Sequence, residues 1–179
     1  FRVGKKENKL GMRASATGNV LAASAASDTA IRIIDSIPDV VTNVRVLVHY
    51  TRAALAMQAS RWEQADSTLR VVLNDMRDMP RGIQLIQALA SHGLVLMYLK
   101  QFALADSQLL RGQRVYETSG LHIDALANLL HASRGMAFGM AGDSAGQERE
   151  FATLPAAQST WYRNFVKKMR ADDSVAARR

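Results

Sequence analysis

One segment of the sequence has the residue spacing of a serine nucleophile. Residues 142–146 read Gly-Asp-Ser-Ala-Gly and satisfy the Gly-x-Ser-x-Gly pattern, in which a strained turn between a strand and a helix exposes the serine hydroxyl. That chemistry needs a strand before the turn and a histidine base after it. The preceding residues have helical periodicity, and no histidine follows His131. We therefore interpret the segment as a turn between two helices, with Asp143 capping the second helix.

The other residue types that support catalysis or bind metals do not group together. A zinc site needs several converging ligands, whereas the sequence has no cysteine and its histidines show no i,i+4 pairing. The four histidines are His49, His92, His122 and His131. We expect His92 and His131 on helix flanks, each with a hydrogen-bond partner. Neither glycine-rich nucleotide-binding motif occurs. The sequence predicts no metal, no cofactor and no small-molecule substrate.

Two pairs of neighbouring acidic residues remain as candidates for acid–base chemistry. They are Asp75 with Asp78, and Glu148 with Glu150. We expect both pairs at joints between helices or on the surface, where no pocket would separate their pKa values. The sequence therefore predicts that the protein is not an enzyme.

The basic residues are concentrated at the two ends of the chain. The net charge is +7; residues 1–13 carry five basic residues against one acidic, residues 160–179 carry six against two, and residues 14–159 are close to neutral at −1. This distribution favours interaction tails over a groove that follows a nucleic-acid backbone, with solvated ends that bind nothing as the alternative. The predicted partner-binding residues are Arg2, Lys5, Lys6, Lys9, Arg163, Lys167, Lys168 and Arg170.

One segment of the chain recurs after 40 residues. Residues 61–69 align with residues 101–109 at four identical positions, with an aromatic residue near the start of each. Apolar residues then follow at alternating steps of three and four, which places them on one face of an α-helix. These ladders are Trp62, Ala65, Leu69, Val72 and Met76 in the first copy and Phe102, Ala105, Leu109, Gly112 and Tyr116 in the second. The sequence predicts two copies of one amphipathic helix.

A further helical run precedes each ladder, so the repeated unit is predicted to be a helical hairpin. The inward positions are Ile86, Leu89, Gly93 and Leu96 in residues 81–99, and Leu126, Leu129 or Leu130, Gly135 and Phe138 in residues 121–140. Each first helix carries one small residue, at Ala53, Gly93 and Gly135. A small side chain lets two helices approach closely, so we expect the legs of each hairpin to cross there.

The hairpins resemble the tetratricopeptide and pentatricopeptide repeat proteins. The matching pattern is a small residue, an aromatic residue at the start of the second helix, an alanine and a large apolar residue. It comprises Gly93, Phe102, Ala105 and Leu109 in one unit, and Gly135, Phe138, Gly142-Asp143 and Phe151 in the next. The spacing of 40 and 42 residues departs from the usual ~34. The resemblance implies an all-α fold, a short α-solenoid of three to four hairpins.

The resemblance covers residues 12–155 and suggests four segments. Residues 1–19 are predicted to form an extended basic arm, residues 20–157 the hairpin domain, residues 158–171 an amphipathic capping helix, and residues 172–179 a tail. A weaker fourth hairpin is predicted at the start of the domain, with Gly18 in its first leg, Ala30 and Ile34 in its second, and an end near Pro38.

The capping helix has an apolar and a basic side. Trp161, Phe165 and Met169 are spaced by four residues, beside Tyr162 and Val166. A terminal helix of this kind covers the last apolar face of a repeat array. The alternatives are docking in the groove of another protein and lying on an anionic membrane surface.

Helical-repeat arrays have many roles, but a short array offers a curved, rigid face and its basic ends can bind an acidic partner, so we expect a non-enzymatic scaffold or accessory subunit in a large assembly. In size, basic balance and short array the chain is similar to the pentatricopeptide-like accessory subunits on the catalytic head of euglenozoan mitochondrial ATP synthase. Phe1 at the start suggests a processed form or a fragment. The expected location is mitochondrial, or else the bacterial cytoplasm. The alternative function is an RNA-associated pentatricopeptide-like or mitoribosomal protein, although nucleic acid is the less favoured partner.

Overall fold

A computed structural model of the protein describes residues 19–38, 40–79 and 82–176, and within them every regular element is an α-helix. The helices are α1 (Val20–Asp35), α2 (Thr42–Gln58), α3 (Trp62–Asp75), α4 (Ile83–Tyr98), α5 (Phe102–Thr118), α6 (Asp124–Ala141), α7 (Ser144–Phe151) and α8 (Ala156–Ala176). The prediction of an all-α fold built from helical hairpins is confirmed. Most of the predicted arm, Gly18 and the end of the predicted tail lie outside the described residues.

The chain divides into two compact units between Pro80 and Arg81. In the first unit, α2 packs against both α1 and α3. In the second unit, α4 packs against α5, α5 against α6 and α6 against α7, while α6 also contacts α4 and α8. In five cases a helix therefore packs against the next helix in the chain: α1–α2, α2–α3, α4–α5, α5–α6 and α6–α7. Short connections make such neighbours antiparallel.

The predicted ladders face the interior of their hairpins. Ala65 and Leu69 on α3 are fully buried, as are their counterparts Ala105 and Leu109 on α5. Burying a leucine side chain contributes ~1.5–3 kcal/mol, so Leu69 and Leu109 stabilise their hairpins. The sequence left open whether Leu129 or Leu130 faces inward on α6. The inward residue is Leu130, which is fully buried.

In the second and third hairpins a small residue on the first helix meets a large one on the second, 16 positions later. A Cβ atom added to Gly93 would overlap the side chain of Leu109, and one added to Gly135 would overlap the ring of Phe151. Ala53 occupies the same position in the first hairpin and is fully buried. The close approach predicted for these small residues is therefore confirmed for both glycines.

Each hairpin turns at the same position through a residue in the left-handed conformation. The φ angles are 55° at Ser60, 59° at Lys100 and 90° at Gly142. In each turn the following N–H donates to the carbonyl oxygen five residues earlier, at 2.8–2.9 Å. This closure satisfies carbonyl groups that the end of a helix leaves without partners. The shared geometry makes the three turns structural copies of one another.

The Gly-x-Ser-x-Gly segment forms one of these turns, between α6 and α7. The Oδ1 atom of Asp143 accepts a hydrogen bond from the N–H of Gly146 at 2.8 Å, so the predicted cap is confirmed. Ser144 is the exposed first residue of α7. A helix precedes the turn instead of a strand, and the strained strand-to-helix elbow that exposes a nucleophilic serine is not formed.

An arginine ties two of the hairpins to the helix before them. Arg52 on α2 and Arg134 on α6 each precede the small residue of their hairpin. The Nε atom of Arg52 lies 2.7 Å from Oδ1 of Asp28 on α1. The Nε atom of Arg134 donates to Oδ1 of Asp106 on α5 at 2.8 Å. The same position thus forms the same kind of link in the first and third hairpins.

Candidate functional site

The C-terminal helix α8 packs against α6 through one narrow side. Val166 and Ser159 are buried there. The helix extends beyond both ends of the predicted segment 158–171. At its far end Asp173 Oδ1 lies 3.1 Å from Nζ of Lys100, an ion pair that joins the last turns of α8 to the end of α4. The described part of α8 therefore covers α6, as a capping helix would.

The sequence predicts that the apolar side of α8 is buried against the repeat array, but only part of that side is buried. Trp161 is 59% exposed, whereas Phe165 and Met169 are half-buried. Placing Trp161 on the covered side is therefore wrong. Two apolar stripes run along this helix about one residue apart, and the surface of α6 accepts the stripe with the smaller Val166.

Trp161 forms one wall of an open cleft between α6 and α8, with a volume of about 600 Å³. The lining residues are Ala125, Asn128, Leu129, Ala157, Gln158, Trp161 and Tyr162. The indole stacks on Phe165 with a centroid distance of 5.4 Å, and it meets Tyr162 edge-on at 4.9 Å. Such contacts fix the orientation of the ring. The cleft therefore has a supported aromatic wall and, across from it, Leu129, which is 41% exposed.

Of the predicted partner-binding residues on α8, Arg163 is used within the protein. Its Nε and Nη2 atoms donate to the carboxylate of Glu148 on α7 at 2.9 and 2.7 Å. This hydrogen bond lowers the pKa of Glu148 and raises the pKa of Arg163, because each charge stabilises the other. Arg163 also donates to Ser159 Oγ at 3.1 Å. Arg163 therefore helps to attach α8 to α7, and its predicted contact with a partner stays a prediction.

The remaining predicted basic residues of α8 have no internal role in the described part of the chain. Lys167, Lys168 and Arg170 are exposed, and none of them forms an ion pair with another described residue. Lys168 lies seven residues after Trp161, two turns along the same face of the helix. Lys168, one of the predicted partner-binding residues, therefore lies on the same face of α8 as the exposed indole of Trp161. Arg2, Lys5, Lys6 and Lys9 lie outside the described residues.

A cluster of polar side chains that the sequence does not predict joins α5, α6 and α7. Arg134 Nη1 donates to Oε1 of Gln113 at 2.7 Å and lies 2.8 Å from Oε1 of Glu150. His131 Nδ1 lies 2.8 Å from the other oxygen of Glu150, so the predicted partner for His131 exists. The Arg134 guanidinium also lies over the ring of Phe138, at 5.3 Å.

Glu150 is the residue of this cluster that the sequence misplaces. Its side chain is only 12% exposed, so the prediction of a surface position is wrong. Burial raises its pKa, but the hydrogen bond from His131 and the charge of Arg134 outweigh that effect, and the pKa is lowered. The sequence contains one signal for the cluster: Arg134 occupies the same position in its hairpin as Arg52 does in the first hairpin. The partners of Arg134 lie on the neighbouring helices.

The arrangement of this cluster is that of a structural link between helices. Each charged group has at least one oppositely charged or hydrogen-bonding partner. Within residues 19–38, 40–79 and 82–176, no group of three or more histidines and acidic residues is placed to hold a metal ion. In the same residues no helix is long and apolar enough to cross a bilayer.

No family model matches the chain, and no curated protein matches it. Among solved structures, it is similar to a tetratricopeptide repeat protein from Parabacteroides merdae, with a TM-score of 0.34 and 14% sequence identity. That match covers 99% of this chain and 90% of the other. The identification of helical hairpins rests on the geometry described above.

Proposed function

We propose that this protein is a non-enzymatic helical-hairpin protein that binds another protein within a larger assembly, with α8 as its contact element. The observation that supports this most directly is Trp161, 59% exposed at the rim of the cleft. Tryptophan is enriched among the few residues that contribute most of the binding energy at protein interfaces. Its position next to a concave surface suits a partner better than it suits solvent.

The absence of catalysis is part of this proposal. The buried cluster around Arg134 is internally paired, and the serine of the Gly-x-Ser-x-Gly segment is the first residue of a helix. Both features contribute to the stability of the hairpins. The cleft beside α8 is lined mainly by small, aliphatic and aromatic residues with two amides. This composition is typical of a binding surface.

An affinity experiment with matched variants tests the proposal. The tagged full chain is cross-linked in its source cells, purified and analysed by mass spectrometry, together with Trp161→Ala and the control Leu104→Ala. Leu104 is an exposed apolar residue on α5, away from the cleft lining. We expect the wild type and the control to recover the same partner, and Trp161→Ala to recover about tenfold less or lower.

Two results would contradict the proposed function: no protein recovered with the wild type, or equal recovery with Trp161→Ala. Thermal melts of the variants establish that both are folded. The same experiment addresses the narrower hypotheses from the sequence. Subunits of the mitochondrial ATP synthase catalytic head among the cross-linked proteins would support that assembly and a mitochondrial location.

The RNA-associated alternative predicts a different observation. Binding to single-stranded RNA that weakens steeply with salt would indicate neutralised phosphates. The near-neutral charge of residues 14–159 argues against it, because contacts with phosphate supply most of the affinity of non-specific nucleic-acid binding.

A further inference from the structure

We infer that the cleft between α6 and α8 binds a short amphipathic helix of a partner protein whose flank is acidic, an inference that rests on the proposed function. The partner's apolar side chains would lie between Trp161 and Leu129. Its carboxylates would lie toward Lys168. Three features of the described residues lead to this chemistry: the size of the cleft, its lining and the exposed cations about two helical turns farther along α8.

The size and lining of the cleft fit a few apolar side chains on one side of a helix. Its volume of about 600 Å³ falls within the ~300–1,000 Å³ typical of binding pockets. Leu129 and Trp161 lie on different helices, so an inserted side chain would contact both walls. Asn128 and Gln158 add amide groups that can hydrogen-bond to polar groups of the partner. Helix-in-groove binding uses this combination of apolar anchors and polar edges.

The charge of the exposed side of α8 selects the partner's chemistry. Lys167, Lys168 and Arg170 are exposed without ion pairs among the described residues, and Asp172 is the one exposed acidic residue that follows them. The segment is therefore net positive once the paired Asp173 is set aside. An acidic flank on the partner would pair with these cations, and opposite charges within a Debye length of ~10 Å speed association and fix orientation.

Other occupants fit this surface less well. A contact between two copies through Trp161 would set two net-positive α8 helices against each other, and like charges at an interface are unfavourable. A membrane would require a broad apolar face, but Val166 is already covered by the packing of α8 on α6 and Asp172 is exposed.

Peptide titrations against the full chain test the inference. The probe is a fluorescently labelled amphipathic peptide of about 14 residues, four helical turns, with leucine on one side and glutamate on the flanks. The matched probe has lysine in place of each glutamate. Anisotropy is measured for the wild type, Trp161→Ala, Lys168→Glu and two controls on exposed positions of α5, Leu104→Ala and Arg111→Glu.

We expect the glutamate peptide to bind the wild type and both controls with the same affinity. Binding should weaken by about tenfold or more in Trp161→Ala and in Lys168→Glu. The lysine peptide should bind the wild type more weakly than the glutamate peptide does, and Lys168→Glu should narrow that difference, because the substitution reverses the charge that selects between them.

Several outcomes would overturn the inference. These are no binding of the glutamate peptide, equal binding of both peptides, or unchanged binding in Trp161→Ala. Retention on phosphatidylcholine–phosphatidylserine vesicles that depends on Trp161 would point to a membrane instead, and a dimer in sedimentation velocity that Trp161→Ala dissociates would point to a second copy. Partner cross-links that fall on α1–α3 would also overturn it while leaving partner binding intact, whereas recovery of no partner would overturn the proposed function itself.

Discussion

The first hairpin, α2–α3, and the third, α6–α7, share an arginine at one of four corresponding positions and place different residues at the other three. The corresponding pairs are Arg52 and Arg134, Ala53 and Gly135, Ser60 and Gly142, and Leu69 and Phe151. The turn geometry and the burial of the large residue are the same in both. The comparison shows which parts of the hairpin are set by backbone geometry and which depend on what packs around it.

The small and large residues differ between these two hairpins. Where the large residue is Leu69 the small one is Ala53, and where it is Phe151 the small one is Gly135, with no room for a Cβ atom. Interiors are packed at nearly crystalline density, so the ring of Phe151 leaves no space for a methyl group at Gly135. In the second hairpin Leu109 excludes a Cβ atom at Gly93 in the same way, so both contacts are close-packed although their residue types and volumes differ.

The two arginines differ in how completely they are paired. Arg52 is buried, yet its ion-pair partner Asp28 is 50% exposed, and its Nη1 atom is buried with no hydrogen-bond partner. Arg134 meets Asp106, Gln113 and Glu150. The difference comes from α7, which supplies Glu150 to the third hairpin.

Removing the large residue of each pair should have the largest effect on stability. We expect Phe151→Ala to lower the free energy of unfolding by ~3–5 kcal/mol and Leu69→Ala by ~2–5 kcal/mol. Phe151 should be the costlier loss because its ring also lies against α8, with its centroid 6.0 Å from that of Tyr162. Urea denaturation followed by circular dichroism measures both. Equal losses would show that the contact with α8 adds nothing to the third hairpin.

The two arginines should differ more clearly in how much they contribute to the free energy of unfolding. Arg134→Met should lower the free energy of unfolding by about 3 kcal/mol, because it leaves the Glu150 carboxylate buried without its cation. Arg52→Met should change it by less than about 1 kcal/mol, since Asp28 can return to water and the unpaired Nη1 atom is removed. Urea denaturation is again the measurement. Equal losses for the two variants would mean that the extra partners of Arg134 are not stabilising.

A double-mutant cycle tests whether the small and large residues are coupled. Gly135→Ala should cost ~1–3 kcal/mol through overpacking against Phe151. The same change in a Phe151→Leu background should cost less, with a coupling of about 1 kcal/mol. Ala53→Gly is the comparison in the first hairpin and should cost about 1 kcal/mol from helix propensity, together with the loss of one buried methyl group. Strict additivity of Gly135→Ala and Phe151→Leu would show that these two residues are not coupled through packing.

The stabilising effect of Glu150 should depend on pH. Because its pKa is lowered in the folded protein, the carboxylate stabilises the fold above the ordinary pKa of ~4.3, and this contribution disappears as the pH falls through the folded value. We expect Glu150→Gln to cost ~1–3 kcal/mol at neutral pH and almost nothing once the carboxylate of the folded wild type is protonated. Denaturation curves of wild type and variant across this range measure the difference. A cost independent of pH would show that charge is not involved.

The turns should give the smallest effects. Ser60→Gly should raise the free energy of unfolding by up to about 1 kcal/mol, because glycine adopts positive φ without strain. Gly142→Ala should lower it by about 1 kcal/mol for the same reason. Thermal melts resolve changes of this size. Opposite signs in the two hairpins would confirm that the turns share one conformation.

Periodicity predicts the buried sides of α3 and α5 because each helix has one apolar face. It fails on α8, where two adjacent stripes are apolar and only the surface of α6 decides between Val166 and Trp161. It also cannot separate Leu129 from Leu130 on α6, since adjacent residues lie 100° apart and both border the apolar face. The fold was accessible from the sequence because it depends on patterns within helices.

The cleft beside Trp161 and the polar cluster around Arg134 both depend on contacts between helices, which a pattern along one helix does not contain. Glu150 is buried because α7 packs against α6 and the Glu150 carboxylate meets Gln113 of α5, and its neighbours in the sequence give no sign of that. Ser60 and Lys100 adopt left-handed turns without the glycine that would announce them. By contrast, Asp143 was predicted correctly because capping is local.

The shortest helix also has the least independent stability. At eight residues, α7 is below the length at which an isolated helix persists in water. Its last two residues, Glu150 and Phe151, attach it to the polar cluster and to the apolar core at once. The backbone amides of α7 therefore cannot open to solvent on their own without breaking contacts made by α5 and α6. Their hydrogen exchange should report the cooperative opening of all three helices as one unit.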